Sequence, residues 1–338
     1  MNPNWQSFIL SQGARLGADQ SEVLDFGDAT AELRATVNGT VVSPLFHFGL
    51  IECAGDEAQV FLHNQLTSDV NHLERDKAQH SAWCTAKGRM LASFIAWHQN
   101  QALRLTLAAE LVAPVIKRLR MYVLRSKVTI NDLTDSHVLI GLAGPEAGAV
   151  LATAGLPVPW EAMATAEAGE IKVVRIESGR FLIAIPAEAA ADIWHKLTNT
   201  ARPVGTSAWR YLDITAALPV VSAATSEEFV PQMADFEKIG GVSFHKGCYP
   251  GQEIVARTQY LGKVKRHLYR VESTVPLAAG DDLHSPENPD QTIGKIVTGA
   301  PSPRGGFAAL AVIQSNFAAS ARLGAIDGPQ ITASAVNP

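Results

Sequence analysis

Residues 246–253 of the chain read Lys-Gly-Cys-Tyr-Pro-Gly-Gln-Glu and place one thiol, Cys248, among glycines and beside a lysine. Glycine permits left-handed backbone angles and lets another group approach closely. Proline costs nothing in the first turn of a helix, so Pro250 predicts a helix start just after the thiol. Helix N–H groups and the Lys246 ammonium would both favour the thiolate form of Cys248. The segment predicts a redox-active, nucleophilic or metal-delivering sulfur, and a tight structural turn around a half-buried cysteine accounts for it equally well.

Composition restricts the functional classes. The chain has 338 residues, 47% of them hydrophobic, which is enough for a buried core and two or three domains. Its net charge of −5 argues against a general nucleic-acid coat, which would be basic. The three cysteines, Cys53, Cys84 and Cys248, form no CxxC pair, so neither a disulfide framework nor a self-contained metal or cluster site is expected. Because no secretory leader or long apolar run is present, we expect a cytoplasmic protein without membrane association.

Two similar series of strands and helices precede the thiol segment. The first predicts strands at 48–53, 81–85, 90–97 and 127–131, with a helix after Asp56, a turn at 86–88 and a second helix near 110–123. The second predicts strands at 138–143, 171–176 and 181–185 and a helix at 187–197. Each series resembles the split β-α-β-β-α-β unit, an antiparallel sheet with helices on one face. Residues 1–40 are weakly patterned and predict an arm with one or two short elements.

After Arg257 the pattern changes to short strand-like runs broken by Gly, Pro, Asp and Asn. The runs lie at 263–272, 277–283, 292–298, 307–314 and 329–335. Spacing of this kind predicts a small barrel. We therefore expect an α+β protein with three domains. The first α+β domain, at 1–135, includes the N-terminal arm, and the second, at 136–258, carries the thiol segment at its end. A C-terminal β-barrel follows at 259–338.

The longer segment from Gly240 to Arg257 resembles the signature of the YgfZ-type folate-binding proteins, which are related to the glycine-cleavage T-protein, an aminomethyltransferase. Bacterial members are named as tRNA-modifying proteins, and mitochondrial cousins act in iron–sulfur cluster assembly. The resemblance covers roughly residues 40–330. It implies two ferredoxin-like domains, able to interleave, and a C-terminal barrel in a T-protein-like arrangement around a central opening.

The same resemblance implies a site for tetrahydrofolate or a related folate. Two aromatic residues contact folate in these proteins, and the motifs place them at Phe48 and at Trp209, just before a predicted strand at 211–215. T-protein relatives carry a pterin-binding glutamate where this chain has Thr215. Asp213, two residues earlier on the same face of a regular strand, is the candidate substitute. Gln232 matches the family's Pro-Gln motif and would either bind the ligand or satisfy loop backbone.

Other polar residues have two readings each. Gln65, Thr67 and Asp69 follow a predicted helix and would either cap its end or face the central opening, with capping preferred. Lys87 and Arg89 fit ordinary turn charges better than an anion site. The densest basic run predicts either a site for an anion or RNA or a solvated strand face; it comprises Arg257, Lys263, Lys265, Arg266 and Arg270.

Two functions remain open. The first is a folate-binding accessory protein that supports iron–sulfur cluster assembly or repair in client enzymes, including tRNA-thiolating enzymes. In this function Cys248 is the reactive thiol, and Lys246 keeps it anionic. The partners are client enzymes or cluster-assembly proteins, and direct tRNA contact is possible but not required. The alternative is a folate-dependent aminomethyl transferase of the T-protein type, although its expected aspartate has no match here. A scaffold that lost its ligand is a third, blander reading.

Overall fold

The computed structural model describes residues 2–262 and 264–336. The helices are α1 Pro3–Ser11, α2 Ala29–Asn38, α3 Ala58–Gln65, α4 Val112–Val123, α5 Ala147–Thr153, α6 Ala190–Thr198, α7 Thr206–Thr215 and α8 Gln252–Tyr260. The strands are β1 Arg15–Leu16, β2 Val23–Asp25, β3 Val41–Pro44, β4 Phe48–Ala54, β5 Ala78–Cys84, β6 Met90–Gln99, β7 Ala102–Ala108, β8 Thr129–Asp132, β9 His137–Ala143, β10 Thr165–Ala168, β11 Ile171–Glu177, β12 Arg180–Pro186, β13 Arg202–Pro203, β14 Arg266–Ser273, β15 Asp282–His284, β16 Gly294–Pro301, β17 Phe307–Gln314, β18 Arg322–Leu323 and β19 Thr332–Ala335.

The first large sheet has the strand order β5-β6-β7-β4-β8. Strand β4 pairs antiparallel with both β7 and β8, and β6 pairs antiparallel with β7. With β5 set aside, the series β4-α3-β6-β7-α4-β8 has the connectivity of a split β-α-β-β-α-β unit. Helix α4 buries Val112, Val115, Ile116 and Leu119, the stripe of a helix that lies on a sheet. The first predicted series is thus present as a sheet with its helices.

The second large sheet has the order β10-β11-β12-β9-β3-β13. Strands β9, β11 and β12 pair antiparallel, as the second predicted series requires. Strand β3 enters the same sheet from a point in the chain before the whole first series, pairing antiparallel with β9 and parallel with β13. The sheet, together with α1, α5 and α6, encloses a core that includes Trp5, Ile140 and Trp194. The second sheet is therefore completed by an upstream strand that the sequence pattern did not reveal.

The C-terminal sheet has the order β18-β15-β16-β17-β14-β19. Its core is formed by small aliphatic side chains such as Ile296, Ala309 and Ile313. The outermost strands, β18 and β19, are consecutive in the chain, and Arg322 bridges to Gln330 in the connection between them. A sheet whose two edges are joined in this way curls toward closure, as the predicted small barrel does.

Three secondary-structure predictions were wrong. The predicted strand at 277–283 is mostly irregular, and β15 covers only Asp282–His284. Residues 1–40 contain more than the predicted one or two short elements: two helices, α1 and α2, and two short strands, β1 and β2. Helix α1 buries only Trp5 and Ile9, one turn apart, with the Trp5 ring edge-on to Trp194 at 5.7 Å between centroids. So few apolar residues give a faint pattern. The predicted strand at 211–215 is instead the end of α7. The prediction failed because a short apolar run does not distinguish a strand from a buried helical turn.

The chain divides into two compact units, each made of separated segments. Unit 1 comprises Met1–Phe61, His72–Gln79 and Ile95–Trp209, and unit 2 comprises Leu62–Asn71, His80–Phe94 and Arg210–Pro338. The three-domain boundaries stay a prediction. Among the described residues, no helix combines the length and the apolar character needed to cross a bilayer.

Candidate functional site

The thiol segment lies in unit 2 as part of an irregular loop at residues 240–251, here called the signature loop. Helix α8 begins immediately after it, at Gln252, which confirms the predicted helix start. Pro250 precedes the N-cap residue Gly251 and so lies just outside the first turn. Two other segments of unit 2 contact the loop: the end of α3 and the turn between β5 and β6.

Lys246 fixes the loop to the end of α3. Its Nζ donates hydrogen bonds to the carbonyl oxygens of His63, Leu66 at 2.6 Å and Ser68 at 3.1 Å. The last carbonyls of a helix lack partners within the helix, and a lysine ammonium supplies the donors that they need. Burial lowers the pKa of Lys246 to about 8, and the nearby Asp69 opposes this shift. The contacts of this ammonium are backbone carbonyls, so its predicted effect on the charge of Cys248 stays a prediction.

Two glycines hold the other side of the loop. Gly251 has a φ of +83°, and a β-carbon there would stand 2.6 Å from the Cα of Gly88 in the β5–β6 turn. Gly88 itself has a φ of +70°. A β-carbon on Gly88 would stand 3.1 Å from the Cβ of Ile254 in α8. The start of α8 and the predicted turn at 86–88 therefore touch backbone to backbone, which only glycine permits. Tyr249 is buried next to this contact, and burial raises the pKa of its hydroxyl.

Thr67 joins the end of α3 to the beginning of the loop. It is fully buried, and its hydroxyl donates to the Gly241 carbonyl at 2.6 Å while accepting from the Ala82 N–H at 2.9 Å. The Thr67 carbonyl accepts from Ser243 N–H at 2.9 Å. These bonds give Thr67 a structural role between three chain segments.

Cys248 is exposed, whereas the other two thiols are buried. Burial raises the pKa of Cys53 and of Cys84 to about 12, so both are held as neutral, inert thiols. Lys246 and Tyr249 are buried on either side of an exposed pair, Gly247 and Cys248. The described residues contain no group of three or more His, Cys, Asp or Glu placed to hold a metal. Cys248 is thus a single thiol presented on an anchored loop.

A histidine that the sequence patterns did not single out lies beside Gly247, the residue before this thiol. His63, 8% exposed, is in the last turn of α3, with its Nδ1 3.1 Å from Asp69 Oδ1. Its Nε2 is 3.6 Å from the place that a β-carbon on Gly247 would take. His63 lies in the stretch 61–70, which resembles the family's first helix, but the candidates drawn from that stretch were Gln65, Thr67 and Asp69.

The two aromatic residues predicted for folate lie in unit 1. Trp209 is 1% exposed. The Arg180 guanidinium lies over its ring, 4.3 Å from the centroid. Gly141 also packs so closely against the ring that a β-carbon on residue 141 would overlap it. Phe48 is half-buried beside His47, with 4.4 Å between their centroids. Phe48 is partly exposed as a residue, and Trp209 is a core residue in this structure.

The two polar residues predicted for folate lie in unit 2. Asp213 is buried on α7 and not on a strand, so the predicted strand face shared with Thr215 does not exist. The Thr215 hydroxyl donates to the Leu212 carbonyl at 3.0 Å. Gln232 is buried, and its amide donates to the Val255 carbonyl at 2.8 Å, while its Oε1 has no hydrogen-bond partner among the described residues. Gln232 thus satisfies backbone and also offers an unused acceptor.

The basic run has mostly structural contacts. Arg270 donates to the carbonyls of Ile214 at 3.2 Å and Thr215 at 2.7 Å and so caps α7. Arg266 donates to the Thr292 carbonyl at 3.0 Å. Arg257 and Lys265 are exposed, and Lys263 lies outside the described residues.

Known proteins resemble this chain in sequence and in fold. The model of the GCVT N-terminal domain matches residues 22–242. The tRNA-modifying protein YgfZ of Sodalis glossinidius (strain morsitans) is 34% identical over 248 residues, covering 72% of this chain and 75% of the relative. The YgfZ of Yersinia pestis (strain Pestoides F) is 34% identical over 249 residues, covering 72% and 74%.

The chain belongs to the YgfZ family. A solved structure shows the fold: the glycine cleavage system aminomethyltransferase T from Bartonella henselae matches 98% of this chain and 95% of its own with a TM-score of 0.83 at 21% identity. These comparisons confirm the family and the T-protein-like α+β fold predicted for this YgfZ-family chain. No comparison tests the individual site residues, Cys248 and Lys246 included, and their roles are matters for proposal.

Proposed function

We propose that this YgfZ-family protein is a folate-binding accessory protein that uses Cys248 to support iron–sulfur cluster assembly or repair in client enzymes, including enzymes that thiolate tRNA. The observation that carries the proposal is the construction of the signature loop. Lys246 and Tyr249 are buried anchors, and Gly251 locks the end of the loop against Gly88, yet Cys248 between them is exposed. A loop held so firmly on both sides presents its thiol to another molecule.

A single thiol suits an accessory role. One cysteine cannot hold a cluster without further ligands, and the described residues supply no group of three metal-binding side chains. A presented thiol can exchange with a partner's thiol or donate one ligand to a cluster that a partner holds. The proposed partners are therefore client enzymes or cluster-assembly proteins, in the cytoplasm, and the tRNA effect runs through the client.

Folate is the proposed cofactor, and the chain's fit to it is uneven. Gln232 fits, because a buried acceptor without a partner suits an N–H of the pterin. Asp213 supplies a buried carboxylate on helix α7 in the same unit as Gln232. Phe48 is partly exposed, whereas the ring of Trp209 is covered and would act by supporting its surroundings. A bound tetrahydrofolate would supply one-carbon or reduced-pterin chemistry.

The thiol is tested by replacing the gene with variants and measuring thiolated tRNA in the cell. Cys248→Ser should reduce thiolation to the level of the deletion, because a hydroxyl neither exchanges with disulfides nor ligates a cluster. Cys53→Ala, which alters a buried thiol outside the signature loop, is the matched control and should retain activity. Full support by a stably folded Cys248→Ser protein would refute the role of the thiol.

The cofactor is tested by anaerobic calorimetric titration with tetrahydrofolate. Saturable binding is expected, and Gln232→Met should weaken it about tenfold by removing the acceptor. Wild-type melting behaviour in the variant would show that the loss is local. Absence of binding at millimolar folate would remove folate from the proposal and leave the thiol role untouched.

The alternative function, aminomethyl transfer, is favoured by one observation, the buried carboxylate of Asp213. A transferase needs such a carboxylate near the folate, so Asp213→Asn should then abolish turnover. Turnover that is undetectable with every one-carbon donor offered would reject this alternative.

A further inference from the structure

We propose that His63, oriented by Asp69, accepts the proton of the Cys248 thiol and so makes the signature loop a histidine-assisted thiol site. The inference rests on the proposed function only in that it concerns the same thiol. It assigns a chemical task to His63 in α3 and to Asp69 just after the helix, two residues outside the signature segment at 240–257.

The position of His63 is fixed by the same lysine that anchors the loop. Lys246 Nζ donates to the main-chain carbonyl of His63, and Gly247 and Cys248 follow directly in the chain. The imidazole Nε2 stands 3.6 Å from the β-carbon position of Gly247. Consecutive Cα atoms are about 3.8 Å apart, so the cysteine begins one residue from the ring. We infer that a rotation about the Cys248 side-chain bonds brings the thiol toward Nε2.

Asp69 selects the tautomer that this task requires. Its Oδ1 lies 3.1 Å from His63 Nδ1, and the Asn71 N–H is shared between this oxygen at 3.1 Å and Nδ1 at 3.4 Å. The carboxylate is the nearer acceptor, and a lone pair on Nδ1 would face its negative charge, so the proton belongs on Nδ1. When Nδ1–H donates to the carboxylate, Nε2 carries the lone pair. A cysteine, a histidine and an acidic residue in this relation form the arrangement that activates nucleophilic thiols on unrelated folds.

The step is a proton transfer and involves no redox change. The S–H bond of Cys248 breaks, its proton forms a bond to Nε2 of His63, and a thiolate and an imidazolium result. Asp69 stabilises the imidazolium. The other charged or titratable groups around this site are Lys246, whose ammonium donates to three main-chain carbonyls, and Tyr249, whose ring centroid lies 5.0 Å from that ammonium.

The space beside Nε2 exists because residue 247 is a glycine. Its φ is not in the left-handed region, so the backbone conformation alone would allow any residue. An alanine methyl would stand in ordinary contact with Nε2 and partly shield it from the thiol. Gly247→Ala therefore probes the geometry without removing a titratable group.

The test is the rate at which iodoacetamide alkylates Cys248 in the full-length protein from pH 5.5 to pH 9, followed on the Cys248 peptide by mass spectrometry. His63→Gln should slow the reaction about tenfold at pH 7 and move the rise of the profile to higher pH, since a neutral amide accepts no proton. Asp69→Asn should shift the profile in the same direction by a smaller amount. Gly247→Ala should slow the reaction near neutral pH with melting unchanged.

An unchanged profile in a folded His63→Gln protein overturns the inference. If that variant does not fold, an unchanged profile in Gly247→Ala overturns it instead. The failure of the proposed function looks different: Cys248→Ser would then support client enzymes fully, whatever the alkylation profiles show. A slowed His63→Gln profile together with an active Cys248→Ser protein would establish the proton acceptor and reject the biological use of the thiol.

Discussion

At the residue scale, the signature loop assigns different tasks to neighbouring side chains. Lys246 satisfies three carbonyls, Tyr249 fills a buried space beside Cys84, and Gly251 lets two backbones meet. Cys248 makes no such contribution to packing, because it is exposed. A cysteine surrounded by residues that position it, while doing no structural work itself, is a residue retained for its chemistry.

The three thiols should therefore react in two distinct classes. In the native protein at pH 7.5, one equivalent of a maleimide should label Cys248 within minutes, while Cys53 and Cys84 react only after denaturation. Their thiols are buried, and the raised pKa of each, about 12, leaves almost no thiolate. Peptide mapping of the labelled protein checks this. Early labelling of Cys84 would show that the β5–β6 turn opens and that the loop is not anchored as described.

Trp209 should behave as a core residue when it is removed. Trp209→Ala should lower the free energy of unfolding by about 3–5 kcal/mol, because it leaves a large cavity between Arg180 and Gly141. Phe48→Ala, at a half-buried ring, should cost clearly less. Chemical denaturation of both variants measures the difference. Equal and small effects would mean that the Trp209 ring is accessible after all.

Sequence reasoning at this scale found the thiol and missed its surroundings for a physical reason. Cys248 sits in a local motif whose glycines and lysine are adjacent in the chain. The partners of Lys246 are between 178 and 183 residues away in sequence, and the imidazole beside Gly247 is equally remote. Contacts over such separations depend on the fold, and no local pattern encodes them.

At the element scale, α8 is positioned by its first turn. The N-cap residue Gly251 has no side chain to cap the helix, and its left-handed backbone instead turns the chain so that α8 starts against the β5–β6 turn. A side chain at Gly251 would therefore move a whole helix, and with it the end of the loop that carries Cys248.

Two glycines of the same loop allow this to be measured. Gly251→Ala and Gly240→Ala both place an alanine at a left-handed φ, of +83° and +75°. Only at Gly251 would the β-carbon overlap another backbone, whereas nothing lies within 4 Å at Gly240. Each should lose about 1 kcal/mol for the backbone conformation, and Gly251→Ala a further 1–3 kcal/mol for the overlap. Denaturation curves that coincide for the two variants would contradict the packing of α8.

Elements with several regularly spaced apolar residues were predicted well, and elements held by few residues were not. Strands β4, β6, β9, β11, β12 and β17 lie within two residues of their predicted positions at nearly every end. The helix α1, with two buried residues, escaped detection. The end of α7 was predicted as a strand because the run at 211–215 has only five residues, with Asp213 between Leu212 and Ile214. So short a run does not separate the two-residue period of a strand from the 3.6-residue period of a helix.

At the scale of the whole molecule, the signature loop depends on distant parts of the chain. Unit 2 gathers Leu62–Asn71 and His80–Phe94 with everything from Arg210 onward. The first segment supplies the carbonyls that hold Lys246, and the second supplies the turn that receives Gly251. The C-terminal part of the sequence therefore contains the thiol without the residues that position it.

A fragment comprising residues 210–338 should accordingly fail to reproduce the site. We expect the region around Cys248 in this fragment to be cleaved rapidly in limited proteolysis. Cys248 should react with iodoacetamide at the rate of an unfolded peptide, since the fragment lacks His63. The full-length protein under the same conditions is the control. A fragment with native proteolytic resistance in residues 240–262 would contradict the anchoring by α3 and the β5–β6 turn.

The position of β3 bears on how the chain folds as it leaves the ribosome. Strand β3 emerges early, but its neighbour β9 follows roughly ninety residues later and β13 later still. At a synthesis rate of about 5–20 residues per second, β3 waits roughly 5–20 s for its first partner. During that wait it is a strand without a sheet, open to the wrong pairing. Its length of four residues and its final proline, Pro44, make it a poor template for another strand, so the nascent chain is protected until the sheet can close around it.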